Sequence, residues 1–217
     1  MSPTMSQRLW VVAHRGGCDL RPENTFSAFY HAITLGVDMV ETDVRWSKDR
    51  QLVLLHDKTL ERTAGAPEAV GHLTLAELRQ LDVGSHFDGA YRYETIPTLE
   101  DLFRLAYHRV KVMLDLKEEG PYLEQILDLI STYRMEGEVV MGVRTVEALQ
   151  TIRKRNPTLR LLSLGRSLEM AAAILEAGAD LMRLWSHWVT PARVESVRRQ
   201  GKPVWVMVSQ SAQPAGQ

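Results

Sequence analysis

His14 and Arg15 stand side by side where an apolar run, residues 9–13, breaks at Gly16-Gly17. A titratable imidazole and a fixed cation at that point are suggestive, because α/β proteins place chemistry at the carboxyl ends of buried strands. Glu41 and Asp43 lie two apart at the end of a second apolar run, and Asp115 and Lys117 two apart at the end of a third. Side chains alternate faces along a strand, so each pair shares a face. His56 closes a short extended piece, residues 51–56, that returns beside the second run. Two carboxylates on one face repel unless a cation or a proton holds them. Three carboxylates suit a hard cation, Mg²⁺ or Ca²⁺. Arg15 and Lys117 suit phosphate oxygens, and the two histidines suit proton transfer near neutral pH. The chemistry these residues spell is metal-assisted cleavage of a phosphoryl ester.

The elements that must position them follow from periodicity. Residues 9–13 form the first strand. Residues 25–35 carry Phe26, Phe29, Ala32 and Ile33 at helical spacing, and Gly36 stops that helix. Residues 37–44 form the second strand. The turn at Lys48-Asp49-Arg50 is too short for a parallel crossover, so residues 51–56 return as a hairpin. Residues 57–98 form a long irregular segment with one short helix at 75–81, and a segment of that length is usually functional. After a helix at 99–107 the pattern becomes regular. Strands at 110–116, 138–143, 159–164, 180–185 and 203–208 alternate with helices at 122–133, 145–155, 167–177 and 191–200. That alternation argues for a parallel sheet in an α/β, TIM-type (β/α) barrel.

The bounds agree. A chain of 217 residues has length for one domain, 1–217, with a large core. Its net charge of −1 sets up no field that would recruit nucleic acid. The single cysteine, Cys18, excludes an internal disulfide and fits a reducing compartment. The first ten residues lack a signal-peptide core, and no apolar run reaches the roughly 20 residues of a membrane helix. The expected location is cytoplasmic, and the tail at 209–217 reads as disordered.

The motifs HRG at 14–16, PENT at 22–25, ETDV at 41–44, HD at 56–57 and DLK at 115–117 occur in this order. As an ordered set they resemble the glycerophosphodiester phosphodiesterase family, over residues 10 to about 208. The resemblance implies a (β/α)₈ barrel with a segment inserted after the HD motif, matching 57–98. It implies divalent-metal-dependent hydrolysis of glycerophosphodiesters, small-molecule substrates, to glycerol 3-phosphate and an alcohol. By position it implies Glu41, Asp43 and Asp115 as metal ligands and His14 and His56 as the acid/base pair. Arg15 and Lys117 would contact phosphate, with Glu23 and Asn24 supporting the site. Glu23 and Asn24 read equally as caps of the first helix. Asp57 reads either as a site contact or as a residue that orients a neighbour. Water and the neighbouring glycerol hydroxyl are both open as nucleophile.

Two departures from the family pattern bear on function. The third ligand is usually glutamate, and here it is Asp115, one methylene shorter. The family also continues past KPVWV to an eighth strand, whereas only seven parallel strands are read here. Two alternatives therefore stand beside the hydrolase: a catalytically weak or inactive phosphodiester-binding barrel, and a lysophospholipid-directed phosphodiesterase. A missing eighth strand would leave apolar edges at 9–13 and 203–208, and association of copies through them is expected.

Overall fold

The computed structural model describes residues 9–117 and 122–208. The tail at 209–217 lies outside the described residues. Contacts gather the chain into two compact units, 1–139 and 140–217.

The first unit is built around one strand. It opens with β1 (Val12–Ala13), α1 (Phe26–Thr34), β2 (Met39–Trp46) and β3 (Leu52–Leu54). The inserted segment carries α2 (Glu61–Ala64) and α3 (Leu75–Leu78), and α4 (Leu99–Ala106), β4 (Lys111–Leu116) and α5 (Tyr122–Thr132) follow. β1 and β4 pair with β2 in parallel, and β3 pairs with it antiparallel, as the short turn requires. β1 is shorter than its apolar run, because β2 begins at Met39, opposite Val12, and residues 9–11 run past its start. Leu9, Trp10 and Val11 are accordingly exposed. β2 reaches two residues beyond the expected 44, because the hairpin pairs Arg45 with Val53 and Trp46 with Leu52. Thr25 caps α1 by accepting a hydrogen bond from the Ala28 amide, and Ala28, Phe29 and Ala32 form its buried face.

The segment at 57–98 holds more structure than one helix. Besides α2 and α3 it contains single 3₁₀ turns at Val70–His72 and Gly89–Tyr91. Val53, Leu55, Leu60, Val70, Leu78, Val83 and Ile96 form its own apolar cluster. Apart from Val53 and Leu55, which share one extended arm, these residues come from different short pieces and are too scattered for a periodicity argument. Ser27 at the start of α1 donates to Glu94, which ties the segment to that helix.

The second unit repeats one motif. β5 (Val139–Val143), α6 (Val146–Arg155), β6 (Arg160–Ser163), α7 (Leu168–Glu176), β7 (Leu181–Trp185), α8 (Pro191–Arg198) and β8 (Val204–Met207) alternate. The four strands pair in sequence order, all parallel. Thr145, Ser167 and Thr190 cap the three helices by accepting from the amide three residues on. The described residues thus contain seven strands in parallel pairing types, plus the antiparallel β3, an α/β arrangement of TIM type. Among them no helix is long and apolar enough to cross a membrane.

Candidate active site

The site is assembled at the carboxyl ends of β1, β2 and β4, all in the first unit. The β2–β4 register sets Asp43 directly opposite Asp115 and Glu41 opposite Met113. Glu41 and Asp43, two apart, share a face, and both are buried, as is Asp115. One oxygen from each of the three carboxylates lies within 4.8 Å of the others. Lys117 extends from the end of β4, with Nζ 2.5 Å from Asp115 Oδ2 and 2.8 Å from Asp43 Oδ1. Three carboxylates therefore meet one ammonium and a guanidinium that is shared elsewhere. Burial, and then the charges of Asp43 and Asp115, push the Glu41 carboxyl well above its ordinary range.

These residues fit a divalent cation. The donors are all carboxylate oxygens, which suit a hard ion. Asp43 Oδ1 is buried with no hydrogen bond, its contact with Lys117 being close but outside hydrogen-bond geometry. The local excess of negative charge is what a cation would neutralise.

His14 sits in a single 3₁₀ turn, His14–Gly16, that ends β1. Three successive residues take positive φ, Arg15 at 49°, Gly16 at 78° and Gly17 at 99°. Gly16 is required twice over, because a Cβ there would also lie 2.9 Å from Phe29 Cδ1 and 3.0 Å from Ala28 Cβ. Arg15 is a strained exception, held by its contacts. Its backbone amide donates to Glu41 Oε2 at 2.7 Å, and its Nη1 donates to both Glu23 oxygens at 3.1 Å. Its Nε, buried and without a hydrogen bond, lies 3.6 Å from Asp43 Oδ2. His14 Nε2 is 3.9 Å from Glu41 Oε2, and its Nδ1 is 3.6 Å from the Cys18 sulfur. Burial and the Arg15 charge lower the His14 pKa, which favours the neutral, proton-accepting ring. Burial pushes the Cys18 thiol up to about 11, so it stays protonated at neutral pH.

Asn24 braces this arrangement. It takes φ of 55°, a conformation asparagine tolerates, and its amide nitrogen donates to Asp43 Oδ2 at 2.9 Å. Its oxygen accepts from Thr42 Oγ1 at 2.8 Å. It supports the carboxylate; the cap of α1 is Thr25, not Asn24 or Glu23.

His56 follows β3, whose continuation is tied to β2 by the Leu55 amide donating to Asp43 O at 3.1 Å. The His56 carbonyl accepts from Arg45 Nε at 3.0 Å and Nη2 at 2.6 Å. Its ring Nδ1 lies 2.7 Å from Asp57 Oδ1. Asp57 thus orients its neighbour, the second of its two sequence readings. Burial alone would raise the Asp57 carboxyl, but hydrogen bonds from Arg62 and His56 hold it below its usual range. An ionised carboxylate at Nδ1 assigns the proton to that nitrogen and leaves Nε2 free. A positive charge on His56 would also lower His14, so the two rings sense each other.

The sequence reading missed Arg62 and Arg45. Arg62 donates to Asp57 Oδ2 and to both oxygens of Glu23. Arg45 follows the ETDV motif two residues after Asp43, on the same face of β2, so strand parity is the signal that could have found it. For Arg62 the one available signal was a cation within a turn of the HD pair.

Comparison with known proteins gives the family and the fold. Residues 14–207 match the model of the glycerophosphoryl diester phosphodiesterase family. The chain is 35% identical over 157 residues to a glycerophosphodiester phosphodiesterase of Caldanaerobacter subterraneus, covering 70% of this chain and 64% of that one. It is 34% identical over 160 residues to the rat lysophospholipase D GDPD1, covering 70% of this chain and 50% of that one. The chain therefore spans between half and two thirds of the length of these curated relatives. The crystal structure of a glycerophosphodiester phosphodiesterase from Agrobacterium tumefaciens superposes with a TM-score of 0.81 at 27% identity, covering 94% of this chain and 89% of that one.

Proposed function

Because the chain belongs to the glycerophosphoryl diester phosphodiesterase family, we propose that it hydrolyses glycerophosphodiesters to glycerol 3-phosphate and an alcohol. The observation that carries the proposal is the convergence of three buried carboxylates on one point, with a neutral-favoured histidine 3.9 Å from one of them. In this reading Glu41, Asp43 and Asp115 hold a divalent cation, Mg²⁺ or Ca²⁺. When bound, the cation supplies charge neutralisation for the phosphate oxygens. Arg15 and Lys117 bind and orient the phosphate, Arg15 from a backbone pose fixed by Glu41 and Glu23. One of His14 and His56 removes the proton of the nucleophile and the other protonates the leaving alkoxide. His56 Nε2 is the reacting nitrogen, because Nδ1 is engaged by Asp57. Glu23 and Asn24 keep Arg15 and Asp43 in place.

Turnover of glycerophosphocholine and of lysophosphatidylcholine, followed by ³¹P NMR with Mg²⁺, with Ca²⁺ and with a chelator, tests this. The expected result is release of glycerol 3-phosphate from glycerophosphocholine that stops on chelation. Faster turnover of lysophosphatidylcholine would move the substrate class to lysophospholipids, the activity named for the rat relative. Phosphodiester binding without turnover of either would replace the hydrolase by a binding barrel.

A further inference from the structure

Arg62 lies outside every motif that defines the family resemblance, yet its guanidinium joins two groups of the site. Its Nε donates to Asp57 Oδ2 at 2.6 Å. Its Nη1 and Nη2 donate to Glu23 Oε2 and Oε1 at 2.8 and 2.7 Å. Asp57 uses its other oxygen for His56 Nδ1, at 2.7 Å. Glu23 uses both oxygens a second time, for Arg15 Nη1 at 3.1 Å. A continuous chain of charge-assisted hydrogen bonds therefore runs His56–Asp57–Arg62–Glu23–Arg15. From Arg15 it continues through the backbone amide to Glu41, which faces His14.

We propose that Arg62 is a positioning residue that holds the His56 ring and the Arg15 guanidinium in register with each other, acting through Asp57 and Glu23. The inference rests on the acid/base reading of His56 given above. Geometry separates Arg62 from an ordinary surface cation. The Glu23 side chain is only 9% exposed and Asp57 is 30% exposed, whereas Arg62 is 46% exposed and closes the chain from its solvent side. A planar fork meets two carboxylates along different edges, which a point charge does not do. Burial by itself would raise the carboxyls of Glu23 and Asp57, and Arg62 is the hydrogen-bond donor common to both that reverses this. An ionised Asp57 keeps the proton on His56 Nδ1. An ionised Glu23 keeps Arg15 turned toward the carboxylate cluster. Loss of Arg62 leaves each carboxylate with one donor and lets both side chains rotate.

The test compares Arg62→Gln, Arg62→Lys, Asp57→Asn and the double variant Asp57→Asn/Arg62→Gln, with His56→Ala as reference. Steady-state kinetics on glycerophosphocholine are paired with long-range ¹H–¹⁵N spectra of the His56 ring. Arg62→Gln is expected to lower kcat roughly tenfold to a hundredfold, as loss of an outer partner of a working histidine does, with a smaller rise in KM from the loosened Arg15. The Nδ1–H tautomer of His56 should lose population in the same variant. Arg62→Lys keeps the charge without the fork and should show the same losses, which covers the case in which Arg62→Gln folds poorly. The double variant should lose less than the two single losses combined, because the part of the Arg62 effect that runs through Asp57 is lost only once. Wild-type kcat in Arg62→Gln, an unchanged His56 tautomer, or additive losses would each overturn the role of Arg62. Near-normal kcat in His56→Ala would overturn the acid/base reading itself. Inactive His56→Ala beside fully active Arg62→Gln overturns only the positioning role.

Discussion

The two units bury polar groups for different ends. In the second unit the buried polar side chains among the described residues are Ser163 and Arg183. Each closes on nearby groups: Ser163 donates to the Ala171 carbonyl at 2.9 Å, and Arg183 stacks on Trp185 and donates to the Gly165 carbonyl at 3.3 Å. In the first unit Glu41, Asp43 and Asp115 are buried facing one another, beside a left-handed arginine. Like charges and backbone strain cost stability, and folds keep them where the surroundings over-determine them. In the second unit the buried polar groups are few and spread apart. The first gives up some packing to hold charges ready.

That contrast can be broken by experiment. The largest effect should come from the first unit: His14→Ala and His56→Ala are each expected to lower kcat by about 10²–10⁴-fold. Both rings are partly exposed, so melting temperature should barely move; a kcat loss that tracks unfolding would erase the contrast. The second unit should answer the opposite way. Leu184, fully buried in β7, changed to alanine should cost about 2–5 kcal/mol in denaturant unfolding. The kcat of the remaining folded protein should stay unchanged, and a loss there would mean that the second unit carries more than packing.

A smaller effect sharpens the comparison at the carboxylates. The ionised form of Glu41 is disfavoured by burial and by its neighbours. Glu41→Gln should therefore leave the metal-free melting temperature equal or raised, while calorimetric affinity for Mg²⁺ and Ca²⁺ falls by at least about tenfold. Unchanged affinity would put the cation elsewhere. The smallest effect is in pH. Burial and the Arg15 charge hold the His14 pKa below its ordinary 6.5, so the folded state favours the neutral ring. The stability this confers is present above 6.5 and is lost as pH falls through the folded value. The acidic limb of kcat/KM should accordingly lie below 6.5, and Arg15→Gln should move it upward. A limb above 6.5 would assign it to another group.

Much of this was legible from residue order. Strand parity alone put Glu41 with Asp43 and Asp115 with Lys117, because a period of two is fixed by the backbone, and the β2–β4 register then had only to bring Asp43 opposite Asp115. The hairpin that delivers His56 followed from a turn too short for any crossover. What stayed hidden depends on contacts between distant short pieces. Arg62 meets Glu23 across 39 positions of chain, and no local pattern encodes that meeting. The left-handed pose of Arg15 is likewise imposed by Glu41, Glu23 and the close pass of Gly16 over Phe29. The length of β1 was misjudged because hydrophobicity marks what a residue tolerates, whereas the ladder ends where its partner begins.

The apolar cluster of the inserted segment bears on how such a protein can diversify. Val53 and Leu55 belong at once to that cluster and to the extended arm that delivers His56. The segment is thus anchored next to the histidine at one end and to Thr98, which bridges to Val53, at the other. Between these anchors the residues pack on one another, and the entropic cost of lengthening a loop grows only slowly. Descendants can gain or lose residues at the exposed turns, such as 85–93, without disturbing either anchor. The histidine keeps its address while the chain between the anchors evolves.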